Sequence, residues 1–221
     1  MCRFLMVKSA GPLAAQRFLE SFADLSERSP APDGDPQADG WGISWMDGAG
    51  AWEVRTFTEP IWESAARFGD FPDSRFFCLH ARSASSPDLR NAVEFNQPFA
   101  GGRYAFVFNG FLEGISLPYP VPGRIGSQKI WALLQDRLAS SGGIESLSAV
   151  QDLLSRRSRR IQALNIGLSD GEYLYGLCQY DGNEEYYRCQ VHVSPGLAMV
   201  CSGPLDGYDF RPAPVGRAFA L

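Results

Sequence analysis

Cys2 is the first residue of this sequence able to do chemistry without help. Removal of Met1 would leave a thiol and a free α-amine on the same residue. An α-amine titrates at about 7.7–8.0 and a free thiol at about 8.5, so near neutral pH the amine can take the thiol proton, directly or through water. No histidine is then required. Taken alone, Cys2 also reads as a small hydrophobe opening a strand. The other cysteines, at 78, 178, 189 and 201, make an odd set of five without tight pairing, which suits reduced thiols better than a disulfide framework. With only His80 and His192 and no C-x-x-C pair, no metal site is expected.

The elements that would carry these groups follow from pattern. Residues 2–8 (CRFLMVK) read as a short buried strand, broken by Gly11-Pro12 before a helix over about 13–27. Residues 29–39, rich in Pro, Asp and Gly, read as a surface loop bordering the site. Two strand-like runs between Trp41 and Thr58 flank Asp47-Gly48-Ala49-Gly50, a hairpin signal, and a short helix is expected over 61–68. The runs 75–82 and 104–109 are crowded with aromatic and aliphatic residues and read as buried strands. Each ends in a polar group, Arg82 and Asn109 respectively. Alone, Asn109-Gly110 looks like a turn after a strand.

Ile130, Leu133, Leu134 and Leu138 share one helix face, and a second helix is expected over 144–157. The segments 162–168, 173–180, 186–193 and 197–201, separated by Asp-Gly and Pro-Gly turns, suggest one antiparallel meander. Neither a repeat nor a low-complexity linker divides residues 1–221, so a single domain is expected.

Of the 221 residues, 45% are hydrophobic and 20% charged, an ordinary globular balance. The formal net charge of −5 supplies no positive field to gather phosphates, so nucleic acid is not an expected partner. The basic run Arg156, Arg157, Arg159, Arg160 reads as a solvated helix face. No stretch approaches the roughly 20 apolar residues of a membrane span, and no secretory leader is evident, so a cytoplasmic location is expected.

Met1-Cys2-Arg3, Asp39-Gly40-Trp41-Gly42, the run His80-Ala81-Arg82-Ser83-Ala84-Ser85, Asn96-Gln97-Pro98-Phe99 and Phe108-Asn109-Gly110 occur in that order. Together they resemble the class II glutamine amidotransferases, especially a stand-alone group that includes ergothioneine-pathway γ-glutamyl amidohydrolases and glutathione-degrading amidotransferase-like subunits. Residues 168–172 and 202–205 extend the resemblance almost along the whole chain. It implies an α+β fold, a four-layer αββα sandwich of N-terminal-nucleophile hydrolase type with mostly antiparallel sheets.

The resemblance also implies roles. Cys2 would attack a side-chain amide and form a thioester, while the Asn109 side chain and the Gly110 backbone N–H hold the oxyanion. Arg82 would clamp a substrate carboxylate, assisted by Ser85, although a structural ion pair is the plainer reading of Arg82. Asp39-Gly40-Trp41-Gly42 would shape the pocket floor, and His80 would pack or hydrogen-bond in the sheet rather than act as a base. No cofactor is implied. The partners would be a small-molecule amide and, where ammonia is passed on, a synthase or other subunit. The alternative is a catalytically silent subunit that keeps the fold as a binding or scaffold module.

Departures from the family pattern are informative. Relatives usually carry Thr-Asp-Ser-Glu where this chain has Ile125-Gly126-Ser127-Gln128, so the acid that would meet a substrate α-ammonium is missing at Gly126. Gln37, Gln97 and Phe108 stand where relatives often have histidine. The altered segment implies a substrate whose α-amine is absent, acylated or uncharged, unless Asp39 or Glu113 supplies the charge.

Overall fold

A computed structural model describes residues 1–29, 31–32, 34 and 36–221. Its strands, in order, are β1 (Arg3–Leu13), β2 (Trp41–Met46), β3 (Trp52–Phe57), β4 (Ser74–Ala81), β5 (Phe99–Gly101), β6 (Tyr104–Glu113), β7 (Arg160–Ser169), β8 (Leu174–Leu177), β9 (Gln190–Ser194), β10 (Leu197–Cys201), β11 (Arg211–Pro212) and β12 (Ala218–Ala220). The helices are α1 (Gln16–Arg28), α2 (Gly126–Leu138), α3 (Gly143–Arg157) and the single turn α4 (Glu184–Tyr187). Among the described residues the strands form a seven-stranded sheet, ordered β11-β9-β10-β1-β4-β2-β3, and a five-stranded sheet, ordered β12-β8-β7-β6-β5. The pairings β1–β10, β1–β4 and β6–β7 at their centres are antiparallel.

Side-chain alternation along the strands builds the layers. Phe4 and Met6 of β1 face Ala105 and Val107 of β6 in a cluster between the two sheets, whereas Leu5 and Val7 point outward onto Phe18, Leu19 and Phe22 of α1. On the far side, Phe106 and Phe108 of β6 pack on Ile130, Leu134 and Leu147 of α2 and α3. The apolar clusters thus separate four layers, helix, sheet, sheet, helix, which is the expected αββα sandwich.

Several expectations need correction. β1 continues through Gly11-Pro12 because its pairing with β4 shifts register between Lys8 and Leu13, and at such a bulge proline costs no ladder hydrogen bond. The expected short helix is two 3-10 turns, Ile61–Glu63 and Ala65–Asp70, parted at Ser64, whose hydroxyl accepts from Trp41 Nε1 at 2.9 Å. Asn109-Gly110 is not a turn, since β6 runs on beside β7 with Asn109 opposite Asn165 and Gly110 opposite Leu164. The C-terminal meander splits: β7 and β8 join the smaller sheet, β9 and β10 the larger. Between them Tyr186 and Tyr187, read as strand, lie in α4 with their rings perpendicular, 5.1 Å apart and buried. Of the 29–39 loop, Pro30, Asp33 and Asp35 lie outside the described residues.

Candidate active site

The ends of three strands bring the predicted residues together. Arg3 pairs with Ala81, so Cys2, just before β1, sits beside Arg82, just after β4. From the facing sheet, β6 delivers Asn109, whose Oδ1 accepts the backbone N–H of Cys2 at 3.1 Å. The Cys2 thiol points at the Ser83 carbonyl, 3.7 Å away, and the Tyr186 hydroxyl donates to the Cys2 carbonyl at 3.2 Å. Tyr186 is itself held by Arg3, whose guanidinium lies 3.8 Å from the centre of its ring and donates to the Tyr186 and Ser202 carbonyls. The Met1 amine donates to Ser83 Oγ at 2.7 Å.

All five cysteines are free thiols, but Cys2 alone is partly exposed. Burial pushes Cys78 and Cys201 up to about 12, which leaves them protonated and inert at neutral pH.

Asn109 is fully buried, and its Nδ2 has no hydrogen-bond partner among the described residues. An orphaned buried donor is uncommon and marks a place where a ligand can complete the bonding. Gly110 supplies a second donor. The Phe108 N–H turns toward the open edge of the sheet, where Gln97 Oε1 accepts it at 2.7 Å. N–H groups two residues apart point the same way along a strand, so that of Gly110 also faces this edge, beyond the end of β5. Leu164, opposite Gly110, sends its own N–H away to the Gln179 carbonyl. A Cβ at Gly110 would stand 2.2 Å from the Ala163 carbonyl, so only glycine fits without displacing β7.

Cys2, Arg82, Ser85, Gly110 and Gly126 all line one hollow of about 180 Å³, with Phe108 in its wall. Arg82 is buried there and makes no ion pair among the described residues, so the plainer structural reading does not apply. Its Nη1 donates to Asn96 Oδ1 at 3.2 Å, its Nη2 to the Leu89 carbonyl at 2.8 Å, and it lies over the Phe95 ring. Burial lowers its pKa, an effect partly offset by the nearby charges of Cys2, Asp39 and Glu94, so an incoming carboxylate would add the direct ionic partner it lacks among the described residues.

Asp39-Gly40-Trp41-Gly42 does not form the pocket floor, because none of the four lines the hollow. The segment acts from behind it. Gly40 has φ +109°, and a Cβ there would meet Asn96 Nδ2 at 2.2 Å; one at Gly42 would meet the Gln97 carbonyl at 2.3 Å. These glycines admit the Asn96-Gln97 segment, which in turn holds Arg82 and Phe108. The Asp39 carboxylate accepts from the Ala84 N–H at 2.7 Å and pairs with Arg90 at 3.3 Å.

His80 reaches across to the other sheet, not along its own, and its Nε2 bonds the Phe108 carbonyl at 3.1 Å. A carbonyl only accepts, so the proton sits on Nε2. Burial, helped by the nearby Arg82 charge, pushes its pKa down to about 3 against the opposing pull of the Phe108 bond, which keeps it neutral and unfit as a base.

Gly126 opens α2 at the hollow, where a Cβ would meet nothing within 4 Å. Neither candidate replacement for the missing acid is spare: Asp39 is bonded as above, and Glu113 pairs with Arg159 at 2.9 Å and Arg160 at 3.7 Å. The first turn of α2 holds no acidic residue. Sequence reasoning missed Ser83 and Tyr186. Ser83 lay inside a quoted motif, whereas Tyr186 is 184 positions from Cys2 and carries no local signal. Among the described residues no group of His, Cys, Asp and Glu could hold a metal ion, and no helix is long and apolar enough to cross a membrane.

Comparison with known proteins gives the same family. No curated protein matches the sequence. Among solved structures, a glutamine aminotransferase class-II domain protein from Silicibacter pomeroyi is 17% identical with a TM-score of 0.63, the match covering 99% of this chain and 94% of that one. A predicted glutamine amidotransferase from Pseudomonas aeruginosa PA01 is 16% identical, with a TM-score of 0.55 and coverage of 99% and 96%. Glutamine phosphoribosylpyrophosphate amidotransferase from B. subtilis is 14% identical, with a TM-score of 0.66, and this chain spans 47% of its length. At these identities the likeness establishes the fold, which is that of the N-terminal-nucleophile amidotransferases. The family model for class II glutamine amidotransferases matches residues 1–192, and the chain therefore belongs to that family.

Proposed function

We propose that the protein is an amidohydrolase of the glutaminase type, cleaving a γ-glutamyl or glutamine-like side-chain amide through a thioester on Cys2. With Met1 removed, the Cys2 α-amine takes the thiol proton and the thiolate attacks the amide carbon. The tetrahedral oxyanion is met by Asn109 Nδ2 and the Gly110 N–H. Collapse breaks the C–N bond as the leaving nitrogen takes a proton, releasing ammonia or an amine to solvent or to a partner subunit. Water, deprotonated by the same α-amine, then hydrolyses the thioester. Arg82, assisted by Ser85, holds the substrate carboxylate, and Gly126 borders the α-substituent.

The observation that carries this reading is the divided use of Asn109: its oxygen accepts from the nitrogen of Cys2 while its Nδ2 is buried without a partner among the described residues. Release of ammonia or amine from carboxylate-bearing amides, native protein against Cys2→Ala, tests it. Equal rates would point to another nucleophile.

A further inference from the structure

Beyond Gly126 the Cys2 hollow adjoins a second, larger one of about 540 Å³, and Leu112, Ile115 and Gly126 line both. Its remaining wall is mostly aliphatic, with Leu117, Val121, Ile130, Leu133 and Leu154 beside the single aromatic residue Tyr119. Lys129, the charged residue along it, is solvent-exposed. Position 126 is the passage between the two, because it bears no side chain and a Cβ there would find open space. Cys2, Arg82 and Gly126 line the same small hollow, so a molecule that sets an amide carbon at Cys2 and a carboxylate at Arg82 would have Gly126 open to its α-substituent. The helix offers an ammonium no partner there: the amino end of α2 carries positive partial charge and no acid stands in its first turn.

We propose that the substrate is an amino-acid side-chain amide whose α-nitrogen bears an apolar acyl group, and that this group occupies the second hollow. The proposal rests on the amidase reading above and narrows its substrate class. Acylation removes a charge that has no acidic partner in the first turn of α2, and the acyl chain covers aliphatic surface otherwise open to water. Only the side-chain amide is cut; the acyl–nitrogen bond lies away from Cys2.

The test is a series of Nα-acetyl-, Nα-butyryl-, Nα-hexanoyl- and Nα-octanoyl-glutamine with the Met1-free protein. kcat/KM is expected to rise about fourfold for each methylene that becomes buried, the factor equivalent to about 0.8 kcal/mol. Val121→Asp, which puts a charge in the wall of the second hollow, is expected to flatten the series. Turnover of the acetyl compound with no dependence on chain length overturns the proposal and leaves the amidase reading standing. If no amide is turned over, the amidase reading fails. Affinity of the Cys2→Ala protein for the same series then decides the hollow: rising affinity supports it, and flat affinity overturns it.

Discussion

The backbone nitrogen of Cys2 donates to Asn109 Oδ1 at 3.1 Å, tying the residue that precedes β1 of one sheet to β6 of the other. After removal of Met1 that nitrogen would be the α-amine, already aimed by the bond it makes now. Asn109→Ala therefore takes away both the aim of the base and one oxyanion donor. Turnover number is expected to fall about 10²- to 10³-fold with little change in KM. Steady-state kinetics on a single amide substrate check this, and a change confined to KM would contradict it.

Arg82 is held by Asn96, Leu89 and the Phe95 face, so its fork is fixed before any ligand arrives. Arg82→Lys cannot reproduce that fork, and kcat/KM for a carboxylate-bearing amide is expected to drop by about two orders of magnitude or more, as for loss of two charge-assisted hydrogen bonds. An amide lacking the carboxylate should lose little. Equal losses for the two substrates would show that Arg82 acts on the fold and not on the ligand.

His80 gives a pH dependence of stability. Its pKa in the fold is about 3, below the roughly 6.5 of an unfolded chain, so between those values the unfolded state binds more protons. Stability contributed by neutral His80 is complete above about pH 6.5 and declines steadily as pH falls toward about 3. Replacement by glutamine, which can still donate to the Phe108 carbonyl, should flatten this part of the acid limb. Denaturant midpoints measured through that range decide it; an unchanged slope would place the acid sensitivity elsewhere.

Gly126→Asp should restore a partner for a substrate α-ammonium at the mouth of α2. kcat/KM for free glutamine is expected to rise about tenfold or more, while that for 4-carbamoylbutanoate, which has no ammonium, falls or stays level. An acid in the first helical turn also suits the helix dipole, by about 0.3–1 kcal/mol, so thermal stability should not suffer. Native protein preferring free glutamine over its N-acylated form would contradict this account of the pocket.

The sequence made the strand and helix cores legible wherever burial on one face imposed a period, as at Phe4 to Val7 and along α2. It misled where tertiary context overrode local chemistry. Asn109-Gly110 has turn composition, yet neighbouring β7 holds it in a strand, and Tyr186-Tyr187 has strand composition, yet buries as a helical turn under Arg3. Cys2, Arg82, Ser85 and Gly110 were legible as candidates because ordered motifs carry them, and Gly126 because it departs from the family pattern; the fold brings all five to one hollow. The supports behind them are contacts between distant segments. Gln97 on Phe108, Asn96 on Arg82 and Tyr186 on Cys2 depend on how the two sheets face each other, which no local spacing encodes.

The central claim is that the nucleophile and its base are both Cys2 freed of Met1. Intact-mass spectrometry of two homogeneous preparations, one bearing Met1 and one lacking it, paired with amide turnover by each, measures this directly. The account predicts turnover only by the Met1-free protein, with an acyl adduct trapped on its Cys2 after rapid acid quench. Full turnover by the Met1-bearing protein would contradict it, because its Cys2 nitrogen is a peptide amide that cannot accept a proton.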